Sequence, residues 1–417
     1  MGEGCFFVPP VRAAGSGRMR QMKTILAIAS FEKGQAFLRQ CKAEGWKTLL
    51  LTSQSLENAD WPRECLDDIY FMPDVDKEWD LNDMMHAVSY LARTVKIDKI
   101  VPLDDFDVEK AALLREHLRI GGMGDTTARY FRDKLAMRSK ARDGGLAIPR
   151  FVGVLNYDEI RAFMADVPPP YVLKPRTQAG AIGIKKVESE ADLWPLLDAL
   201  GDRQSYYLLE EFLPGTIWHV DSIVDGSKVL WALVSRYARP PLEVSHEGRV
   251  FCTQNVTYGS MEEKVLKKLN ATVLKTLGLV RGVSHTEYIQ SAADGQFYFL
   301  ETSARVGGAH IADMIEAASG LNLWAEWAKL EVRESYTPEP SHKRYAGLLV
   351  SLARQESPDL SGYNDPEVWW KLEKKNHAGV VVASEKYERV GELLSTYTER
   401  FYQDFFHSLP PKEKHTD

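Results

Sequence analysis

The segment HTEYIQSAADGQFYFLETSARVGG, residues 285–308, has the pattern of two strands joined by a turn at Asp294-Gly295. Glu287 and Glu301 lie equally far from Asp294, so a hairpin centred there brings their side chains opposite each other on one sheet face. Two opposed carboxylates repel, and a sequence tolerates this when a cation lies between them. The pattern therefore predicts a metal site, although an ordinary polar sheet face would contain the same residue types.

Arg305 follows Glu301 by an even number of residues, so strand alternation places it on the same face if the strand continues. Its planar guanidinium suits a phosphate or acyl-phosphate oxygen. Magnesium usually takes one or two carboxylates together with nucleotide phosphates. The hairpin therefore has the groups needed to hold a metal–phosphate complex.

Two lysines upstream are candidates for phosphate contacts. In YVLKPRTQAGAIGIKKV, Lys174 ends a buried strand, and Gly180 and Gly183 allow the loop to bring backbone amides against phosphate. A plain hairpin loop has the same pattern. Lys134 lies in RDKLAMR, within a helix predicted over residues 127–145, where a solvated charge is the ordinary interpretation.

The segment LLEEFLPG reads as a strand that enters a turn. As an adenine site it would use backbone groups of Glu211 to Leu213, with Phe212 or Leu213 adding apolar contact.

The length and composition argue against several classes of protein. The 417 residues predict two or three domains, and a net charge of −7 without a basic block argues against nucleic-acid binding. The four cysteines are scattered, which favours reduced thiols in a cytoplasmic protein. The sequence has no run of 18 apolar residues, so no membrane span is expected.

Strands and helices alternate from Lys23 onwards, and each strand is a continuous apolar run. This predicts a Rossmann-like parallel sheet, but the absence of GxGxxG argues against a dinucleotide site. Antiparallel strands with intervening helices follow and predict an α+β core. The expected organisation is a disordered leader at 1–22, a Rossmann-like domain at 23–125, a core at 126–335 with subdomains at about 126–210 and 211–335, and a C-terminal α+β part at 336–417.

Taken in order, RDK, VLKP with its glycine loop, EEFLPG, TEY and FYFLETSAR resemble the motifs of the ATP-grasp superfamily, and the resemblance covers about residues 23–417. It implies a fold of two α+β subdomains that grip ATP, with magnesium, or manganese in its place, as the metal. The implied roles are phosphate binding by Lys134 and Lys174, a lid at 177–183 that includes Gly180 and Gly183, an adenine hinge at Glu210, Glu211, Phe212 and Leu213, metal binding by Glu287, Glu301 and Ser303, and phosphoryl stabilisation by Arg305.

The chain departs from the family pattern at two positions. The usual Glu-x-Asn-x-Arg reads Glu301-Thr302-Ser303-Ala304-Arg305, so a short hydroxyl replaces an amide. Many relatives also carry a glutamate for the ribose hydroxyls after the hinge glycine, where this chain has Ile217; His219 is the candidate to replace it.

RVGGAHIADMIEAASGLNL further resembles ligases that join amino acids, which implies an ADP-forming carboxylate–amine ligase and a substrate role for Gly307 and Gly308. The segment containing Arg236 and His246 is expected to border the acyl-acceptor site. The expected partners are small-molecule carboxylate and amine substrates, and a homodimer is the default assembly. The alternatives are a biotin-carboxylase-like enzyme that forms carboxyphosphate and a catalytically degenerate ATP-binding regulator.

Overall fold

The computed structural model describes residues 22–180, 182–240, 244 and 250–407. The N-terminal unit contains a parallel sheet of strand order β3-β2-β1-β4, as its apolar strands predicted. Its strands are β1 Thr24–Ala29, β2 Lys47–Ser53, β3 Asp68–Met72 and β4 Lys99–Pro102, and its helices are α1 Gln35–Ala43, α2 Leu81–Leu91 and α3 Val108–Leu118. The sequence analysis missed β3, an edge strand with only one fully buried residue. The loop after β4 begins at the carboxyl edge of this sheet, where it faces the rest of the chain.

A second, antiparallel sheet has the order β5-β8-β6-β7. Its strands are β5 Phe151–Gly153, β6 Tyr171–Pro175, β7 Lys185–Val187 and β8 Tyr207–Glu211, and the helices α6 Tyr157–Asp166 and α7 Glu190–Leu200 pack on it. Helix α4 Asp125–Arg129 packs on α3, and α5 Lys134–Asp143 packs on the core of the third sheet.

The single helix predicted over residues 127–145 was wrong, because α4 and α5 are separate. The Asp133 carboxylate accepts from the backbone amides of Leu135 and Ala136 and so starts a new helix at Lys134. This break places Lys134 at a helix N-terminus instead of on a solvated helix face.

The third sheet is the largest and has the order β13-β12-β9-β10-β11-β14-β16-β15. Its strands are β9 Gly215–Asp225, β10 Lys228–Tyr237, β11 Phe251–Asn255, β12 Gly282–Ser291, β13 Phe297–Ser303, β14 Tyr345–Leu352, β15 Val368–Lys371 and β16 His377–Ser384; its helices are α8 Met261–Leu277, α9 Ile311–Ser319, α10 Leu323–Val332 and α11 Tyr387–Asp404. Strand β14 pairs with β11, so the strands of the part predicted at 336–417 continue this sheet.

Candidate active site

The hairpin of β12 and β13 brings the two predicted metal ligands together. Glu287 pairs directly with Glu301, and both side chains lie on the same face as Ser303, which pairs with His285. The register shifts nearer the turn, where Leu300 is the extra residue of a β-bulge. The predicted pairing of the two glutamates is therefore correct, and the carboxylates and the serine hydroxyl form an oxygen-rich donor set that suits a hard divalent cation.

Lys134, at the start of α5, lies beside the Glu301 carboxylate. Its Nζ lies 3.1 Å from the Glu301 carboxylate and donates to the backbone carbonyl of Gln178 at 2.7 Å. Burial would raise the pKa of Glu301, but Lys134 and Lys174 outweigh it and lower that pKa. Glu301 is therefore an anion in the resting protein, and Lys134 connects it to the predicted lid.

Lys174, on β6, forms a buried ion pair with Glu210, and Arg138 binds the other oxygen of the same carboxylate. Burial lowers the pKa of Lys174 to about 8, although Glu210 acts in the opposite direction. Arg138 also donates to the backbone carbonyl of Leu300. This fully buried arginine, which the sequence analysis missed, thus links the second sheet to the bulge beside Glu301.

The predicted hinge connects β8 to β9. The Glu210 side chain is buried in the ion pair just described, so only its backbone can contribute to a base-binding surface. The amides of Glu211 and Phe212 donate to Arg150 and Pro170 of neighbouring segments at 2.9 and 3.2 Å. Leu213 packs with an apolar cluster on the same sheet face as Glu287, namely Ile217, Tyr237, Ile289, Phe251, Tyr298 and Leu300.

The predicted lid begins where Arg132 donates to the carbonyl of Thr177 at 2.6 Å. Gly180 and Gly183 have φ values of +66° and +71°, which favour glycine at both positions. Both glycines therefore allow the backbone conformation of the turn, and their contact with phosphate stays a prediction.

Arg305 is held by a residue from the N-terminal unit. Its Nε donates to Asp105 Oδ2 at 2.8 Å, a second donor reaches the same oxygen, and Nη1 donates to the carbonyl of Val306 at 2.8 Å. Burial would lower the pKa of Arg305, but Asp105 and Asp104 outweigh it and raise that pKa. The sequence offered a signal for Asp105, since it follows β4 at the carboxyl edge of a parallel sheet.

His219 pairs with Glu287 in the sheet and belongs to a buried polar network on the same sheet face. Its Nδ1 lies 2.8 Å from Asp221 and its Nε2 lies 2.8 Å from the Thr253 hydroxyl. His285 Nδ1 contacts the other oxygen of Asp221 at 2.9 Å. Because both nitrogens of His219 are used inside a fully buried network, this geometry does not support the predicted ribose contact. Asp221 thus binds Nδ1 of both histidines, one with each of its carboxylate oxygens.

Of the predicted substrate residues Arg236 and His246, the structure describes Arg236 alone. Arg236 pairs with Trp218 on the face opposite Glu287, and its guanidinium lies 5.7 Å from the Trp218 ring centre. The structure therefore does not bring Arg236 to the site, and the site-facing residue one position further along β10 is Tyr237. His246 lies outside the described residues.

Gly307 and Gly308 follow Arg305 and precede α9. A Cβ on Gly307 would lie 2.9 Å from Asp221 Oδ1 and 3.0 Å from His285 Nδ1, whereas one on Gly308 would meet no atom within 4 Å. Gly307 therefore allows the Arg305 turn to pack on the buried network.

Comparison with known proteins agrees with this geometry. A family model described as an ATP-grasp domain matches residues 167–313. An L-arginine-specific L-amino acid ligase of Bacillus subtilis is 26% identical over 275 residues, which cover 64% of this chain and 64% of that protein. The match thus spans less than two thirds of the curated relative's length.

Solved structures share the fold over almost the whole chain. The L-amino acid ligase of Bacillus licheniformis superposes with a TM-score of 0.69 at 16% identity and covers 93% of this chain and 99% of its own. The N5-carboxyaminoimidazole synthetase of Staphylococcus aureus in complex with ADP superposes with a TM-score of 0.68 at 13% identity and covers 90% and 97%.

Within the described part of the chain, no helix is both long and apolar enough to cross a membrane. The motif order, the three sheets and the paired glutamates agree with the family match. This chain therefore carries an ATP-grasp domain, and its relatives by sequence and by fold include L-amino acid ligases.

Proposed function

We propose that this chain is an ADP-forming ligase that uses ATP to activate the carboxylate of an amino acid or similar small acid and joins it to an amine. The observation that carries the proposal is the direct pairing of Glu287 with Glu301, with the Lys134 ammonium 3.1 Å from Glu301. A structural hairpin gains nothing from opposed carboxylates, whereas a metal–nucleotide site needs them.

Each group then has a specific task. Lys134 and Lys174 bind nucleotide phosphates, and the hinge at Glu211 to Leu213 receives adenine against the apolar cluster. Glu287, Glu301 and Ser303 hold magnesium or manganese. When bound, that cation neutralises charge on the phosphate oxygens.

The reaction has two balanced steps. A carboxylate oxygen of the substrate attacks the γ-phosphorus of ATP, and the bond from that phosphorus to the bridging oxygen breaks as ADP leaves with the electron pair. The amine then attacks the carbonyl carbon of the acyl-phosphate, inorganic phosphate leaves, and the nitrogen loses a proton. Arg305 donates to the transferred phosphoryl oxygens in both steps through the second N–H of Nη1 and of Nη2, because Asp105 and Val306 use one N–H of each together with Nε.

The choice of an amino acid as substrate is supported by the relatives. The curated relative and the solved structure that covers 93% of this chain are both named as L-amino acid ligases. The buried and oriented Arg305 favours an active enzyme over the degenerate regulator, because a regulator does not need an arginine fixed beside the metal ligands.

The test is the substitution Glu301→Gln, which keeps the shape of the side chain and removes its charge. We expect it to abolish amino-acid-dependent ATP turnover while the protein stays folded. Glu326→Gln is the matched control, since Glu326 is a buried carboxylate that pairs with Lys329 on α10, outside the site. Turnover retained in Glu301→Gln, or lost equally in Glu326→Gln, would contradict the proposal.

A further inference from the structure

Tyr237 contacts one of the proposed metal ligands from a strand that lies two positions away in the sheet. Its hydroxyl donates to Glu287 Oε1 at 2.9 Å across β9, which separates β10 from β12. The Tyr237 side chain is buried and lies on the site face of the sheet. One oxygen of Glu287 is therefore occupied by a neutral donor.

The tyrosine ring is itself held in place on two sides. The His219 ring lies 4.7 Å away, centre to centre, at an interplanar angle of 30°, and the Phe251 ring lies 5.4 Å away in an edge contact. His219 cannot rotate freely, because Asp221 and Thr253 bind its two nitrogens. The buried network therefore fixes Tyr237, and Tyr237 fixes Glu287.

A second contact converges on the same carboxylate oxygen. His285 Nε2 lies 3.6 Å from Glu287 Oε1 and 3.4 Å from the Tyr237 hydroxyl, while its Nδ1 is bound to Asp221. The shorter distance identifies the hydroxyl as the direct hydrogen bond to Glu287. Among the described residues, both contacts of the Glu287 carboxylate are made with Oε1, and none is made with Oε2.

We propose that Tyr237 is a positioning residue for the metal site, whose hydroxyl holds Oε1 of Glu287 and directs Oε2 towards a divalent cation. Groups that orient metal ligands in this way set metal affinity although they do not touch the metal. The inference rests on the proposed function of Glu287.

The test compares Tyr237→Phe with Tyr288→Phe. Tyr288 is equally buried and donates to Asn270 Oδ1 at 2.9 Å, but it lies on the opposite face of β12. Each substitution removes one buried hydroxyl and its shortest hydrogen bond, and Tyr237→Phe also removes the 3.4 Å contact with His285, so thermal unfolding of both variants is measured beside Mn²⁺ binding. The two variants therefore differ mainly in whether the lost hydroxyl contacted Glu287.

The measurement is Mn²⁺ binding to the protein in the presence of ADP. The electron paramagnetic resonance signal of free Mn²⁺ reports how much Mn²⁺ is unbound. We expect Tyr237→Phe to weaken Mn²⁺ binding by about tenfold or more, and Tyr288→Phe to bind as the wild type does. The apparent KM for Mg²⁺ in turnover should rise in Tyr237→Phe alone. Wild-type Mn²⁺ affinity in Tyr237→Phe, or equal weakening in both variants, would overturn the inference.

The variant Glu301→Gln shows whether a negative result concerns only the role of Tyr237 or also the proposed metal site. If Glu301→Gln loses Mn²⁺ binding while Tyr237→Phe keeps it, only the inference is wrong. If wild type and Glu301→Gln bind Mn²⁺ alike, the metal assignment itself is wrong and the inference fails with it.

Discussion

Lys174 is a phosphate-binding candidate whose charge depends on its burial. Burial lowers its pKa from 10.5 to about 8, against the attraction of Glu210. Because the folded-state pKa is lowered, the free protein loses this positive charge as the pH rises through about 8. Nucleotide phosphates favour the ammonium form, so ATP binding should take up a proton above that pH.

We therefore expect ATP affinity to fall as the pH rises from about 8, by at most about tenfold per pH unit. Calorimetric titration of ATP just above pH 8, in two buffers with different ionisation enthalpies, measures the proton uptake directly. Lys174→Arg is the control, because arginine stays charged and should remove this pH dependence. Binding without proton uptake in the wild type would mean that Lys174 does not contact the phosphates.

Single residues were predicted well from sequence where the argument was local. The pairing of Glu287 with Glu301 was predicted from their equal spacing about Asp294, and the structure has that pair, with Leu300 as a bulge between it and the turn. Tyr237 and Arg138 were missed, because their contacts with Glu287 and Leu300 join residues separated by 50 and 162 positions. Strand alternation separates Tyr237 from the predicted Arg236, and only knowledge of the sheet face selects between them.

At the scale of elements, the turn from β13 to α9 packs tightly on the buried network. A Cβ on Gly307 would lie 2.9 Å from Asp221 Oδ1 and 3.0 Å from His285 Nδ1, atoms that are themselves hydrogen-bonded. Neither partner can move without breaking that bond. The backbone of this turn, and with it Arg305, therefore depends on a glycine here.

We expect Gly307→Ala to lower the free energy of unfolding by about 1–3 kcal/mol, as other overpacked interiors do. Gly308→Ala is the matched control for stability, since a Cβ there meets no atom within 4 Å. Thermal or denaturant unfolding of the two variants gives the comparison. Equal stability of both would show that the turn relaxes without cost.

Two predictions of secondary-structure elements from the sequence were incorrect or incomplete. The helix predicted over residues 127–145 divides because Asp133 caps a new helix, and the capping signal is visible in the sequence once the break is known. Strand β15 was missed because its pairing with β16 is irregular, with a register shift between Val368 and Trp370. It is a four-residue strand at the edge of the sheet, next to β16 in both sequence and space.

At the scale of the whole molecule, Asp105 and Arg305 connect the N-terminal unit to the segment that follows the hairpin of the proposed metal ligands. The two residues lie 200 positions apart, and both donors of Arg305 that reach Asp105 share one of its oxygens. Breaking a buried ion pair leaves an uncompensated charge. The orientation of Arg305 therefore depends on the docking of a domain that carries none of the other proposed ATP ligands.

We expect Asp105→Asn to lower kcat by about 100-fold, the typical effect of a small misplacement of a catalytic group, with a smaller change in ATP affinity. Asp107→Asn is the matched control. Asp107 is a buried carboxylate of the same loop, but it pairs with Lys110 and the Ser30 amide. A kcat for Asp105→Asn equal to that of Asp107→Asn would contradict a positioning role for Asp105.

The central claim, that this chain joins a carboxylate to an amine at the expense of ATP, is tested most directly by its products. The purified protein is incubated with ATP, Mg²⁺ and pairs of amino acids, while ADP and amide products are quantified together by mass spectrometry. The account predicts that some pair yields ADP and an amide in equal amounts, and that neither forms with Glu301→Gln. ADP formed without any amide, or tight ATP binding with no turnover across all pairs, would contradict it.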